Sequence, residues 1–203
     1  MSQTKAQLVS GRTSPLNFPP GNGTSDQVLA GDGAGTLSWT DRGRITLATA
    51  QNTTSGTAID FTGIPSWVKR ITVMLNQIST SGTSIIQVQV GSGSFATSGY
   101  LSSAVGGVTA NSISGAVVSS GFAMFGTGLS AANYYQGRLV LTHLGSNVWT
   151  ANGSMSTTSG TVAAYFVDGS VSGLSGTLDR VRLTTVNGTD TFDAGSVNIL
   201  YEG

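Results

Sequence analysis

Residues 68–79 read VKRITVMLNQIS. Ile71, Val73 and Leu75 alternate with Thr72, Met74 and Asn76, a period of two that suits a strand and not a helix. The same rhythm recurs along the chain. IIQVQV (85–90) sets Ile86, Val88 and Val90 against Ile85, Gln87 and Gln89. GRLVLTHL (137–144) sets Leu139, Leu141 and His143 against Arg138, Val140 and Thr142. LDRVRLTTV (178–186) opposes Val181 and Leu183 to Arg180 and Arg182, and SVNILYE (196–202) opposes Val197, Ile199 and Tyr201 to Asn198 and Leu200. Each run is short and bounded by turn formers such as Ser81-Gly82, Gly91-Ser92-Gly93 and Asn187-Gly188. GFAMFGTGLSAANYY (121–135) has helical possibilities, but Gly121, Gly126 and Gly128 make it strand and loop. Short strands closely spaced by turns predict an all-β, antiparallel β-sandwich of jelly-roll kind over residues 44–203.

Composition agrees. Gly, Ser and Thr make up 84 of 203 residues, while Glu occurs once and Lys twice, so the residues that build exposed helices are nearly absent. There is no Cys, hence no disulfide framework, thiol nucleophile or Cys-based zinc site. A single His argues against multi-His metal centres. Net charge is zero and the longest like-charge run is Lys69-Arg70, which gives nucleic acid no basic face. Membrane insertion is not expected, because no apolar run reaches 18 residues. MSQTKAQLVSGR lacks the apolar middle of a secretory signal, so synthesis in the cytoplasm without processing is expected.

Residues 1–43 differ from the rest. They hold three of the four prolines, Pro15, Pro19 and Pro20, and a Gly-rich turn, GDGAG at 31–35, between two short extended pieces. Phe18, Leu29 and Trp39 are too sparse to close a core. Either they pack on the following domain or they meet copies of themselves, and an extended arm on a compact domain suits the second, as in a fibre stem. The Ser-Gly-Thr triplets at 55, 81, 159 and 175 are irregularly spaced turns and not a repeat.

Little in the chain points to catalysis. His143 keeps phase with Leu139 and Leu141, as a half-buried strand residue would. Asp190 and Asp193 could hold calcium, but no third acid is near, and a hairpin tip whose carboxylates accept backbone N–H groups is the plainer expectation. Arg70, Arg180 and Arg182 are expected in a buried structural ionic cluster with Asp60 and Asp179, and a carbohydrate or phosphate contact is the alternative. GDGAG lacks the Lys and following helix of a phosphate loop. Trp67, after Ile64-Pro65, reads as core or as a plug at a strand entry. The candidate binding residues are Tyr100, Asn133, Tyr134, Tyr135, Trp149 and Asn152. Aromatic faces beside amides and hydroxyls bind uncharged glycans by stacking and hydrogen bonding.

TTSGTAIDFTGIPSWVKRITVMLNQISTSGTS (53–84) and LDRVRLTTVNGTDTFDAGSVNILYE (178–202) resemble a domain of tailed-bacteriophage tail fibres and related receptor-binding virion proteins. GTSDQVLAGDGAGTLSWT (23–40) is similar to the element that joins stems to heads in such fibres. Close likeness covers residues 53–91 and 177–202, and the middle, 92–176, matches only loosely, through its strand rhythm and the Gly99-Tyr100 turn. The resemblance implies a homotrimer exposed on the virion, without enzymatic activity or cofactor. A tail adaptor, nozzle or capsid protein would grip the N-terminus, with Leu8, Val9 and Arg12 as anchor residues. The distal head would contact a host surface glycan or outer-membrane component. A short tail fibre is the leading expectation, and a head fibre or capsid-decoration protein is the alternative.

Overall fold

The computed structural model describes residues 17–24, 27–41, 43–108, 112–157 and 163–203. Leu8, Val9 and Arg12 lie outside the described residues. The chain divides into two compact units, Met1–Arg44 and Ile45–Gly203. Among the described residues there are sixteen strands and no helix.

In the first unit β1 (Gln27–Gly31) and β2 (Leu37–Asp41) form an antiparallel hairpin. Its turn is organised by Asp32, whose carboxylate accepts the Ala34 and Thr36 N–H groups at 2.7 and 3.0 Å. Those bonds hold the carboxyl below the usual carboxylate range. Trp39 lies against Gly23, where a side chain would strike its ring, and its indole N–H points to the Gly21 carbonyl. No described residue of this unit is buried, and Phe18 and Leu29 remain exposed.

The second unit contains β3 (Ile45–Leu47), β4 (Gln51–Asn52), β5 (Ala58–Thr62), β6 (Arg70–Thr80), β7 (Ile86–Ser92), β8 (Ser94–Phe95) and β9 (Tyr100–Val108). It continues with β10 (Ser112–Val118), β11 (Phe122–Ala123), β12 (Tyr135–Gly145), β13 (Val148–Thr157), β14 (Ala163–Val171), β15 (Arg180–Thr185) and β16 (Phe192–Glu202). The larger sheet runs β10-β9-β14-β13-β12-β6-β16-β3, with β4 also paired to β16. The smaller runs β11-β7-β15-β5, with β8 on the side of β7. Every strand pair is antiparallel, and neither sheet closes into a barrel.

One core lies between the two sheets. The large sheet contributes Ile71, Val73, Leu139, Leu141, Val197 and Ile199, and the small sheet contributes Ile86, Val88, Val90, Val181 and Leu183. Aromatic edges knit the layers. Tyr100 meets Phe122 edge-on at 5.0 Å, and Phe125 meets both Tyr135 and Tyr165. The alternation read in β6 holds through Leu75. There Gln77 takes a left-handed backbone (φ 50°), the register to β12 and β16 shifts, and Ile78 returns to the core.

β7 departs from the expected pattern. Gln87 and Gln89 are buried along with Ile86, Val88 and Val90. The connection from β10 to β11 covers them. The Ser120 hydroxyl donates to the Gln87 side-chain oxygen at 2.9 Å, and the Gln89 amide donates to the Ser120 carbonyl at 2.9 Å. Both amides stay in the interior because they are hydrogen-bonded there.

Candidate binding surface

The six residues expected to form a glycan contact do not converge. Tyr100, Tyr135 and Trp149 are corrections: all three are at most 2% exposed. Tyr100 points inward from β9, its ring against Phe122 and its hydroxyl against Val90. Tyr135 packs on Phe125, and its hydroxyl accepts the Ser130 N–H at 2.7 Å. Trp149 lies opposite His143, with ring centres 5.0 Å apart, so the half-buried His is a packing partner. No face of these three rings is open to a sugar. Glycine and serine neighbours marked them as loop residues, whereas the strands that carry them turn these side chains into the core.

Asn133 is half-buried, and Tyr134 is exposed on the loop that the Tyr135 hydroxyl clips together. Asn152 is exposed in the middle of β13. Tyr135 pairs with Thr157, five residues further along that strand, so Asn152 and the Tyr134 loop are separated by roughly 17 Å of strand.

The charged residues also fall differently. Arg182 forks onto Asp60 at 2.7 and 2.8 Å, and Arg180 onto Asp179 at 2.7 and 3.2 Å, the partners expected. These pairs sit at the surface of the small sheet and not in its interior. Arg70 pairs instead with Glu202, at 3.2 Å, because β6 and β16 align those two residues. Asp190 is enclosed by donors: the Ser84 N–H at 2.9 Å and the Asn187 side-chain amide at 2.7 Å. Among the described residues no group of three or more His, Asp or Glu could hold a metal ion.

A different surface emerges around Asn152. The outward side chains of β6, β12, β13 and β14 frame a shallow depression of about 480 Å³. The cross-strand register explains its composition. Thr72, Val140, Asn152 and Asp168 occupy one row across the four strands, and Arg138, Ser154 and Phe166 the adjoining row. Directly opposed residues have Cβ atoms about 5 Å apart, so the Asn152 carboxamide and Asp168 carboxylate stand side by side. Phe166 is two residues from Asp168 on the same face and 66% exposed. Among the described residues, Arg138, Asn152 and Asp168 use none of their side-chain hydrogen-bonding groups within the chain.

Chemically this is a set of unspent donors and acceptors beside an aromatic face, with no activated nucleophile. A carboxylate and a carboxamide side by side can share the vicinal hydroxyls of a sugar, while the phenyl ring covers its C–H face. Phe166 and Asp168 are not among the candidates, although YFVDGS (165–170) carries the signal: Tyr165 and Val167 face the core, and Phe166 and Asp168, alternating with them, face out.

The same sheet face carries apolar residues near both edges. Leu101, Val105, Ile113 and Val117 are exposed on β9 and β10, and Ile45 and Leu47 on β3. No family model, curated protein or solved structure matches this chain.

Proposed function

We propose that this chain is a structural protein of a tailed-bacteriophage virion, a short tail fibre that adheres to the host cell surface without chemically altering it. In this reading the two-sheet unit is a jelly-roll-like sandwich head, the first unit belongs to its stem, and the chain works as a trimer. The likeness of residues 53–91 and 177–202 to fibre domains supports the virion part. The adhesive part is carried by one observation: the open depression in which Asn152 and Asp168 stand paired beside exposed Phe166. Its ligand would be a neutral surface saccharide. Several weak sites per particle would supply avidity that one shallow site does not.

The test is adsorption. Purified protein should bind host cells and compete with phage particles, and Asn152→Ala combined with Asp168→Ala should abolish competition while leaving the fold intact. Undiminished competition by the double variant would remove the depression from the reading. Antibody labelling of intact particles should mark the tail, and labelling of the head would replace the tail fibre by a head fibre or decoration protein.

A further inference from the structure

β9 and β10 form one edge of the large sheet, and their outward faces are unlike an ordinary sheet edge. Inward, β9 presents Tyr100, Ser102, Ala104 and Gly106. Outward it presents Leu101 and Val105, and β10 adds Ile113 and Val117, which are 82% and 85% exposed. The register places large residues against small ones: Val117 opposite Ser103, Val105 opposite Gly115, Ile113 opposite Gly107. The result is a corrugated apolar strip whose knobs alternate with small residues across the β9–β10 pair, leaving gaps that no described side chain of these two strands fills.

Among the described residues of β9 and β10, no charge and no proline guards this edge. Solitary edge strands are blunted by Lys, Pro or inward charges, yet YLSSAVGGV and SISGAVV contain no charged residue and no Pro. β10 is the last strand of its sheet, so its outer backbone edge meets no further strand among the described residues.

We infer that this strip is where copies of the chain meet. Charge and area both favour a second copy as the occupant. A strip without charge gains nothing from a charged partner surface, and the uncharged, corrugated surface at hand is the strip itself. Its four large side chains expose on the order of 500 Å², at the upper end of what a soluble monomer leaves open. With the Ser and Gly residues between them the strip approaches the roughly 800 Å² per partner of a stable interface. The inference does not rest on the adhesive reading. The strip adjoins the depression, since Val105 opposes Phe166 across β9 and β14, but it is argued from Leu101, Val105, Ile113 and Val117 and not from Asn152 or Asp168.

The experiment uses the full chain, which contains no Cys. Light scattering of the purified protein should give a multiple of 20.6 kDa, and Ile113→Asp and Val117→Asp should each lower it to the single-chain mass. Both side chains are in solvent in the single chain, so circular dichroism of these variants should match the parent. Leu47→Asp, at the other edge, should stay assembled. Because assembly through another segment could mask the Asp variants, single-cysteine variants give a second measure. Val117→Cys should react with a maleimide about tenfold more slowly than Leu47→Cys, since burial blocks thiol attack. A parent protein of single-chain mass overturns the inference. So does a Val117→Cys that labels as fast as Leu47→Cys, whatever the mass of the Asp variants. Loss of adsorption in Asn152→Ala/Asp168→Ala with unchanged mass would keep the two proposals distinct.

Discussion

The hydroxyl of Tyr100, on the large sheet, accepts the backbone N–H of Val90, on the small sheet, at 2.8 Å. The same hydroxyl can donate to the Val90 or the Ala96 carbonyl, each 3.2 Å away. These bonds satisfy backbone groups at the end of β7, where β8 turns back along it. They also fasten the two layers at a point where apolar contact alone would permit sliding. Tyr100→Phe keeps the ring on Phe122 but leaves a buried N–H without its partner. The expected loss is about 1–3 kcal/mol in denaturant unfolding, with an unchanged slope. A loss below a few tenths would show that the hydroxyl is incidental to the packing.

The same burial makes the protein sensitive to alkali. Burial pushes the Tyr100 phenol up to about 12, and burial likewise raises Tyr135 and Tyr165. A phenol whose folded pKa lies above its unfolded value favours the fold fully below the unfolded pKa, near 10. That contribution is lost as pH rises through the folded value. Melting temperature should therefore fall between pH 10 and about 12, with Tyr100 alone accounting for about 2–3 kcal/mol of the decline. The check is a melting series from pH 8 upward, in which Tyr100→Phe, though less stable at pH 8, should show a flatter descent.

The sequence exposed the fold through its strongest alternations and obscured it wherever partners came from far along the chain. Ile71, Val73, Leu139, Leu141, Val181 and Leu183 sit in the core, as their period of two required. Gln87 and Gln89 have the same period, but Ser120, from a distant connection, covers their side of the sheet. Local polarity thus misread a covered face as an open one. Glycine-rich context misled in the opposite direction, making Tyr100, Tyr135 and Trp149 look like loop residues. Of the six candidate contacts, Asn152 alone falls in the depression, because its neighbours there are set by register: Val140 on one side and Asp168 on the other. A single sequence gives strands but not which strands lie side by side.

Arg182 combines two interactions that a lysine cannot reproduce. Its guanidinium forks onto the Asp60 carboxylate at 2.7 and 2.8 Å and lies 4.0 Å from the centre of the Phe95 ring. Lysine would keep the charge but lose the planar fork and the stack. Since the pair is partly exposed, solvent screens it, and Arg182→Lys should cost only about 1 kcal/mol. A double-mutant cycle with Phe95→Leu separates the terms. Coupling near zero between positions 182 and 95 would mean that the ring serves only as apolar cover.

Asp190 tests whether the acidic hairpin at 187–193 is structural or holds an ion. Its carboxylate accepts the Ser84 N–H and the Asn187 amide, so N–H donors occupy the positions from which a cation would be held. Asn187 in turn accepts the Thr189 and Asp190 N–H groups through its own side-chain oxygen, closing the turn. Gly82 passes so close to this carboxylate that an added Cβ would collide with it. Three outcomes are expected. Asp190→Ala should lower stability by about 1–3 kcal/mol, the cost of leaving its donors unpaired. Gly82→Ala should destabilise as well, by pushing the carboxylate off those donors. Calcium or a chelator should leave the melting temperature of the parent protein unchanged, since an ion held by the folded state would raise it by mass action. A calcium-dependent rise abolished by Asp190→Ala would overturn the structural assignment and make this hairpin an ion site.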